Sequence, residues 1–297
     1  MQLKPSFEEF RAQANRGGVL PVWREFLFDV DTAVTAYAKI RRPPFGFLLE
    51  SVVGGEQWAR YTFLGSEPAE AWRLIQGRAE LWTRGDGWAP IATDDPLADF
   101  DERLRARQPL TTGGLPRLWG GAVGYFGYDV VRQIEHLPDG PPDDLHLPDA
   151  LFVFIDVVLA IDNLLGRAMA IATVEVEEGL NEEELRGRYD LAAEKTHDLV
   201  SRLSEEPSPP PLELGPEPDE DPSFTSTMSR GEFEAAVERI RDYIMAGDAF
   251  QVVLSQRLEM QLPAGPFDLY RALRSLNPSP YLYFLELDGF CLVGSSA

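Results

Sequence analysis

Histidine and cysteine, the residues most often used for acid–base chemistry and nucleophilic attack, are scarce in this sequence. The three histidines, His136, His146 and His197, lie far apart and lack the H-E-x-x-H spacing that holds zinc. The single cysteine, Cys291, lies in an apolar run and is interpreted as a buried structural thiol. The sequence has no Gly-Lys-Ser or Gly-Lys-Thr for a phosphate-binding loop and no G-x-S-x-G for an activated serine. These residue patterns alone do not predict a metal, nucleotide or hydrolytic site.

A glycine-rich run at 120–127 is the densest local pattern, and aromatic residues lie between its glycines. The run does not contain G-x-G-x-x-G, so it is no dinucleotide-binding fingerprint. Glycine lets a backbone approach closely while neighbouring aromatic rings pack beside it. We interpret the run as an aromatic-packed structural turn, with direct contact to a ligand as the alternative.

Composition narrows the class of protein. Among 297 residues, 44% are hydrophobic and 26% are charged, which is enough apolar material for a packed core. The formal charge of −22 would repel nucleic acids and anionic membranes, since binding to phosphates depends on Lys and Arg. With one cysteine no internal disulfide can form, and the first thirty residues contain no apolar signal-peptide core. We expect a soluble cytoplasmic protein that binds neither nucleic acid nor membrane.

Two helices are bracketed by their start and stop signals. Ser6 followed by Glu9, and Ser229 followed by Glu232, each form the pattern of a capping box. Gly247 supplies a C-terminal stop for the second helix.

Strands are predicted in pairs. Residues 45–53 and 57–64 are joined across Gly54-Gly55, and residues 151–161 and 167–174 form a second pair. Paired strands favour an α+β fold of mostly antiparallel sheets with packed helices over a doubly wound parallel sheet.

Composition also predicts the domain organisation. The stretch 204–224 has seven prolines and seven acidic residues without any Lys or Arg, and it is interpreted as an exposed linker. It separates an N-terminal domain at 1–203 from a segment at 225–297. That segment ends on a strand-like run, so we expect it to be the incomplete start of a second domain.

Four ordered strings resemble the family of anthranilate synthase component I, and they extend over nearly the whole chain. They are LLESVVGGE with RYTFLG at 48–65, GYFGYDVVR at 124–132, AGDAFQVVLSQR at 246–257 and NPSPY at 277–281. The resemblance implies that family's α+β fold, truncated here. The first two strings correspond to its N-terminal domain, and the last two to the start of its chorismate-binding domain.

The resemblance also implies a reaction. With Mg²⁺, the family converts chorismate and ammonia to anthranilate and pyruvate, and a glutamine amidotransferase subunit supplies the ammonia. The family's Mg²⁺ ligands and catalytic groups correspond to positions beyond Ala297. We therefore expect the 297-residue polypeptide alone to be inactive, with no metal ligand and no confident catalytic residue of its own.

L-Tryptophan inhibits the family, and the resemblance places its binding site on two stretches of this chain. The corresponding residues are Glu50, Ser51, Pro280, Tyr281 and Leu282. A carboxylate and a hydroxyl suit the ammonium group of an amino acid, and proline with tyrosine offers an apolar wall for indole. The alternative is a strand hydroxyl and a rigid proline turn.

Gln251 is a candidate active-site residue on a strand. Related isochorismate-forming enzymes carry a lysine at the equivalent place, and glutamine cannot act as a base there, which favours ammonia over water as the nucleophile. Alternatively, Gln251 satisfies polar neighbours in a buried strand. Two other functions stay open: aminodeoxychorismate synthase component I, and a non-catalytic tryptophan-binding module.

Overall fold

The computed structural model describes residues 1–15, 17–51, 60–107, 113–138, 140–213, 215 and 223–296. The chain divides into two compact units. The first unit comprises Met1–Pro211 and Leu269–Ala297, and the second comprises Leu212–Asp268. The domain boundaries at 203 and 225 stay predictions.

The first unit contains two antiparallel sheets with helices packed on them. Its strands are β1 (Leu3–Lys4), β2 (Gly18–Leu27), β3 (Gly46–Glu50), β4 (Tyr61–Ser66), β5 (Glu70–Ile75), β6 (Arg78–Thr83), β7 (Gly87–Pro90), β8 (Ala122–Phe126), β9 (Ala150–Phe154), β10 (Val157–Asp162), β11 (Arg167–Val176), β14 (Tyr281–Leu287) and β15 (Phe290–Ser296). Its helices are α1 (Phe7–Ala14), α2 (Ala33–Ile40), α3 (Pro96–Ala106), α4 (Glu182–Glu205) and most of α6 (Pro266–Leu276). A 3₁₀ helix spans Tyr128–Gln133.

The larger sheet has the order β1-β2-β11-β10-β4-β3-β14-β15. The smaller sheet has the order β7-β6-β5-β9-β8. Every pairing among the described strands is antiparallel, so the α+β prediction is confirmed. A buried cluster that draws on both sheets includes Phe45, Phe47, Val153 and Val158, and it forms the main core.

The predicted pairing of 45–53 with 57–64 is confirmed for the described residues of the two strands. β3 and β4 are antiparallel, with Gly46 opposite Ser66. The turn predicted at Gly54-Gly55 lies outside the described residues.

The predicted single strand at 151–161 is wrong, because the chain changes sheets within it. β9 belongs to the smaller sheet and β10 to the larger one, and only β10 pairs with β11. Polar contacts fix the corner between them. The Ile155 amide donates to the Gly121 carbonyl at 2.8 Å, and both Asp156 carboxylate oxygens accept from Lys195 Nζ at 2.8 Å. The corner therefore ends one apolar strand and starts the next.

The glycine-rich run has a structural role at Gly124. This glycine lies in β8, and a Cβ there would collide with the backbone of Leu151 in β9. Glycine thus allows the close approach of the two strands. Tyr125 donates its hydroxyl proton to the Pro148 carbonyl at 2.6 Å, and burial raises its pKa to about 12.

Both predicted capping boxes are confirmed. In α1, the Ser6 amide donates to Glu9 at 2.8 Å and the Glu9 amide donates back to Ser6. In the second unit, Ser229 and Glu232 make the same contacts at the start of α5 (Arg230–Ala246). Gly247 ends α5 with a φ of 85°, a left-handed conformation that glycine adopts without strain.

The second unit contains α5 and the short strands β12 (Thr225–Ser226) and β13 (Leu258–Glu259), which pair with each other. No residue of α5 is buried. Among the helices in the described part of the chain, none is both long and apolar enough to cross a membrane.

Candidate functional site

β3 and β14 lie side by side in the larger sheet and bring the two predicted effector stretches together. Leu282 is directly opposite Glu50, and Phe284 is opposite Leu48. Both strands are rich in apolar residues that pack into the core, so burial favours their pairing. Ser51 directly follows β3, and Pro280 directly precedes β14.

Strand alternation divides the predicted effector residues between the two faces of the sheet. Directly opposed residues point to the same face, so Glu50 and Leu282 share one face and Tyr281 lies on the other. Leu282 is only 1% exposed, whereas Tyr281 is 58% exposed. Pro280 and Ser51 have intermediate exposure.

Ser279 orders the turn that leads into β14. Its side chain accepts a hydrogen bond from the Tyr281 amide at 3.0 Å and donates one to the Ser296 carbonyl. Ser295 in β15 donates to the Asn277 carbonyl at 2.6 Å. The NPSPY segment is therefore tied to the last strand.

The Glu50 carboxylate is held by two side chains from α6, and we call Glu50, Tyr270 and Arg274 the Glu50 cluster. The Tyr270 hydroxyl donates to Glu50 Oε2 at 2.5 Å. Arg274 binds both carboxylate oxygens, from Nε at 3.0 Å and from Nη2 at 3.1 Å. The Glu50 side chain is only 4% exposed, so these partners compensate a charge that water barely reaches. Burial and the Glu50 charge raise the pKa of Tyr270.

A second carboxylate on the same sheet face is held in the same way, and we call Glu286, Tyr37 and Arg41 the Glu286 cluster. Glu286 lies four residues after Leu282 in β14 and therefore points to the same face. Arg41 binds both carboxylate oxygens of Glu286, with Nε 2.6 Å from Oε2. The Tyr37 hydroxyl donates to Glu286 at 3.5 Å, and burial followed by the Glu286 charge raises its pKa.

The two clusters share a sequence pattern. In each cluster an arginine follows a helical tyrosine by four residues. Tyr270 and Arg274 both lie in α6, on one helical face, whereas Tyr37 lies in α2 and Arg41 is the first residue after that helix. The ring of Phe284 lies between the helices, with its centroid 5.6 Å from that of Tyr37 and 5.8 Å from that of Tyr270. Sequence reasoning missed these four residues. The Tyr-x-x-x-Arg spacing was visible, but nothing local identified the two glutamates as its partners.

Gln251 lies in the second unit, and the strand predicted around it is wrong. Residues 251–257 have no regular secondary structure, and Gln251 is exposed. In the described part of that unit, β12 pairs as a strand only with β13, and the hydrogen bonds from Ser226 and Thr227 reach only Gln256 and Arg257, at the end of the segment. Its role in an active site remains a prediction.

A cavity of about 230 Å³ lies elsewhere in the first unit, beside the corner at Ile155 and Asp156. Its charged lining residues are already paired. Arg107 stacks over the Phe154 ring at 4.3 Å and binds Glu70, while its Nε is 3.4 Å from Glu175. None of the predicted effector residues lines this cavity.

Within the described ranges, no three His, Cys, Asp or Glu residues are grouped so that they could hold a metal ion.

Comparison with known proteins identifies the family. A sequence profile described as chorismate binding enzyme matches residues 54–297. Anthranilate synthase component 1 of Pseudomonas aeruginosa is 40% identical over 294 residues, which cover 97% of this chain and 58% of that protein. The protein of the same name from Aquifex aeolicus is 36% identical over 297 residues, which cover 100% of this chain and 59% of that protein.

A solved structure agrees with these sequence relatives. The crystal structure of anthranilate synthase component I from Streptococcus pneumoniae aligns with a TM-score of 0.65 and 26% identity, over 91% of this chain and 57% of that one. The resemblance to anthranilate synthase component I is therefore confirmed, and the chain spans somewhat under three fifths of the length of these relatives. On the profile match to residues 54–297, the chain belongs to the chorismate binding enzyme family.

Proposed function

We propose that this chain is part of an anthranilate synthase component I, a lyase that uses Mg²⁺ to convert chorismate and ammonia to anthranilate and pyruvate. This reaction is the first step of tryptophan biosynthesis. The observation that carries the proposal is the 36–40% identity to proteins of that name along almost the entire chain. The match in fold to the Streptococcus pneumoniae protein supports it independently of local motifs.

The proposed enzyme works in the cytoplasm with a glutamine amidotransferase subunit that releases ammonia. The free thiol of Cys291 in β15 is compatible with a reducing compartment. By the resemblance to the family, magnesium would be held by residues that correspond to positions beyond Ala297.

The catalytic proposal is tested by anthranilate fluorescence in a mixture of chorismate, ammonium and Mg²⁺. The 297-residue polypeptide alone is expected to produce no signal, since it spans only 58–59% of its relatives. A chain extended by the rest of the coding sequence is expected to restore the signal. Aminodeoxychorismate in place of anthranilate would instead assign the chain to the folate pathway. A lack of either product from the extended chain would contradict the proposal.

We propose further that L-tryptophan inhibits the enzyme by binding at Glu50, Ser51, Pro280, Tyr281 and Leu282. The pairing of Leu282 with Glu50 supports this site, because it brings two distant stretches next to each other.

The effector proposal is tested by calorimetric titration of the chain with L-tryptophan. Tyr281→Ala should weaken binding about tenfold if the ring contacts indole. Tyr128→Ala is the matched control, since Tyr128 is also exposed but follows a strand of the smaller sheet. Equal effects of the two substitutions, or no binding by the unaltered chain, would contradict the site.

A further inference from the structure

We infer that Glu50 is a positioning residue for the effector site, acting through Arg274 and Tyr270, and is not itself the ligand of the effector's ammonium group. This inference rests on the proposed tryptophan site. It departs from the expectation that the Glu50 carboxylate and the Ser51 hydroxyl together hold that ammonium group. It is based on the salt bridge that the Glu50 carboxylate already makes with the Arg274 guanidinium.

The hydrogen bonds leave the Glu50 carboxylate little capacity for a second cation. One oxygen accepts from Tyr270 and Arg274 Nε, and the other accepts from Arg274 Nη2. The side chain is 4% exposed, so an incoming ammonium would have to replace a bidentate guanidinium in a nearly dry site. Displacing a buried, charge-assisted partner leaves that partner uncompensated, which opposes the exchange.

The position of Glu50 shows how its contacts with α6 can order the effector site without direct contact to the ammonium group. Glu50 is the last residue of β3, it immediately precedes Ser51, and it lies opposite Leu282. Arg274 lies three residues before Asn277, which is the first residue of the NPSPY segment. The Glu50 cluster therefore joins the end of β3 to the helix that leads into Pro280 and Tyr281. It fixes the two effector stretches relative to each other.

The Glu286 cluster provides a matched control within the same molecule. It has the same three residue types, the same tyrosine–arginine spacing and the same sheet face. Glu286 lies four strand residues beyond Leu282, about 13 Å further along the sheet. Substitution there should destabilise the fold in a similar way without moving Ser51 or Pro280.

The test is a calorimetric titration with L-tryptophan of the unaltered chain and of Glu50→Gln, Arg274→Met, Glu286→Gln and the double variant Glu50→Gln/Arg274→Met. If Glu50 acts only through Arg274, both single variants and the double variant should bind about tenfold more weakly, and by the same factor. Glu286→Gln should stay within about twofold of the unaltered chain. Circular dichroism melting records which variants fold.

Each remaining outcome overturns the inference. Normal affinity in Arg274→Met with weakened binding in Glu50→Gln would make Glu50 a direct ligand. So would a double variant that binds more weakly than either single variant. An equal loss in Glu286→Gln would reduce the role to general stability. If a single variant fails to fold, the double variant still decides, because it has no unpaired buried charge, and normal affinity in it overturns the inference. Absence of binding by the unaltered chain would overturn the effector site as well.

Discussion

The first and second units both contain a helix that starts with a Ser-x-x-Glu capping box, but the two helices differ in what they bury. α1 places Phe7, Phe10 and Ala14 in a core cluster. α5 is about twice as long and has no buried residue. The comparison shows that local hydrogen bonds are enough to define where a helix begins. Burial against other elements is a separate contribution, and it is large only in the first unit.

The strands extend this contrast. In the first unit, the apolar residues of β10 and β11 are covered on both sides. In the described part of the second unit, the only strands are two residues long, and Phe250 and Val253, which lie outside any regular secondary structure, are 94% and 81% exposed. A strand needs a partner from elsewhere in the chain, whereas a helix does not.

The largest expected effect comes from making the same substitution in each unit. Phe284→Ala removes a ring that is 0% exposed and should lower the free energy of unfolding by about 3–5 kcal/mol. Phe250→Ala should leave the free energy of unfolding unchanged, because the Phe250 ring is almost fully exposed. Urea unfolding followed by tryptophan fluorescence measures the first unit, since all six tryptophans lie between residues 23 and 119. Similar losses in both variants would remove the contrast between the units.

A smaller effect is expected from the capping residues. Ser6→Ala should lower the free energy of unfolding of the first unit by about 1 kcal/mol, because α1 belongs to its core. Ser229→Ala should instead speed amide hydrogen exchange in the first turn of α5 and leave the fluorescence transition unchanged. Ser6→Asp is the control, since aspartate also caps helices. A shift of the fluorescence transition in Ser229→Ala would contradict the local role of that cap.

The smallest expected effect is on how the stability of the first unit changes with pH. Burial raises the pKa of Asp162, but hydrogen bonds from Arg60 and from the amides of Leu165 and Leu164 outweigh it and hold the pKa below its ordinary value. The folded pKa is therefore lower than the unfolded one. The resulting stability is present above about pH 3.9 and is lost as the pH falls through the folded value.

Urea unfolding between pH 6 and pH 2 measures this dependence. Asp162→Asn should lose less stability on acidification than the unaltered chain, because it has no carboxylate to protonate. Hydrogen bonds from Ser229 also lower the pKa of Glu232, yet Glu232→Gln should not alter the pH dependence of the first unit's transition. An unchanged acid slope in Asp162→Asn would mean that other carboxylates dominate.

Features fixed by neighbours in sequence were predictable. The capping boxes at Ser6 and Ser229, the stop at Gly247 and the pairing of β3 with β4 all depend on residues within a short distance along the chain. The α+β class followed from such local pairs. The resemblance to one family added the effector residues, and the structure places Glu50 and Leu282 side by side.

Features fixed by distant partners were not predictable. The apolar run at 151–161 looks like one strand because both of its halves are buried, and only the surroundings of Ile155 and Asp156 reveal the corner. The strand predicted at Gln251 failed for the opposite reason, since in the described residues of its unit β12 and β13 pair only with each other. The salt bridge between Arg274 and Glu50 joins residues that are 224 positions apart in the sequence.

The neighbour relation of β3 and β14 also has a consequence during synthesis. β3 (Gly46–Glu50) emerges from the ribosome long before its neighbour β14 (Tyr281–Leu287) is made. Until then β3 is a temporary edge, with backbone groups on one side open to other nascent chains. Such long-range closure slows folding, and the larger sheet of the first unit cannot be completed until β14 has been made.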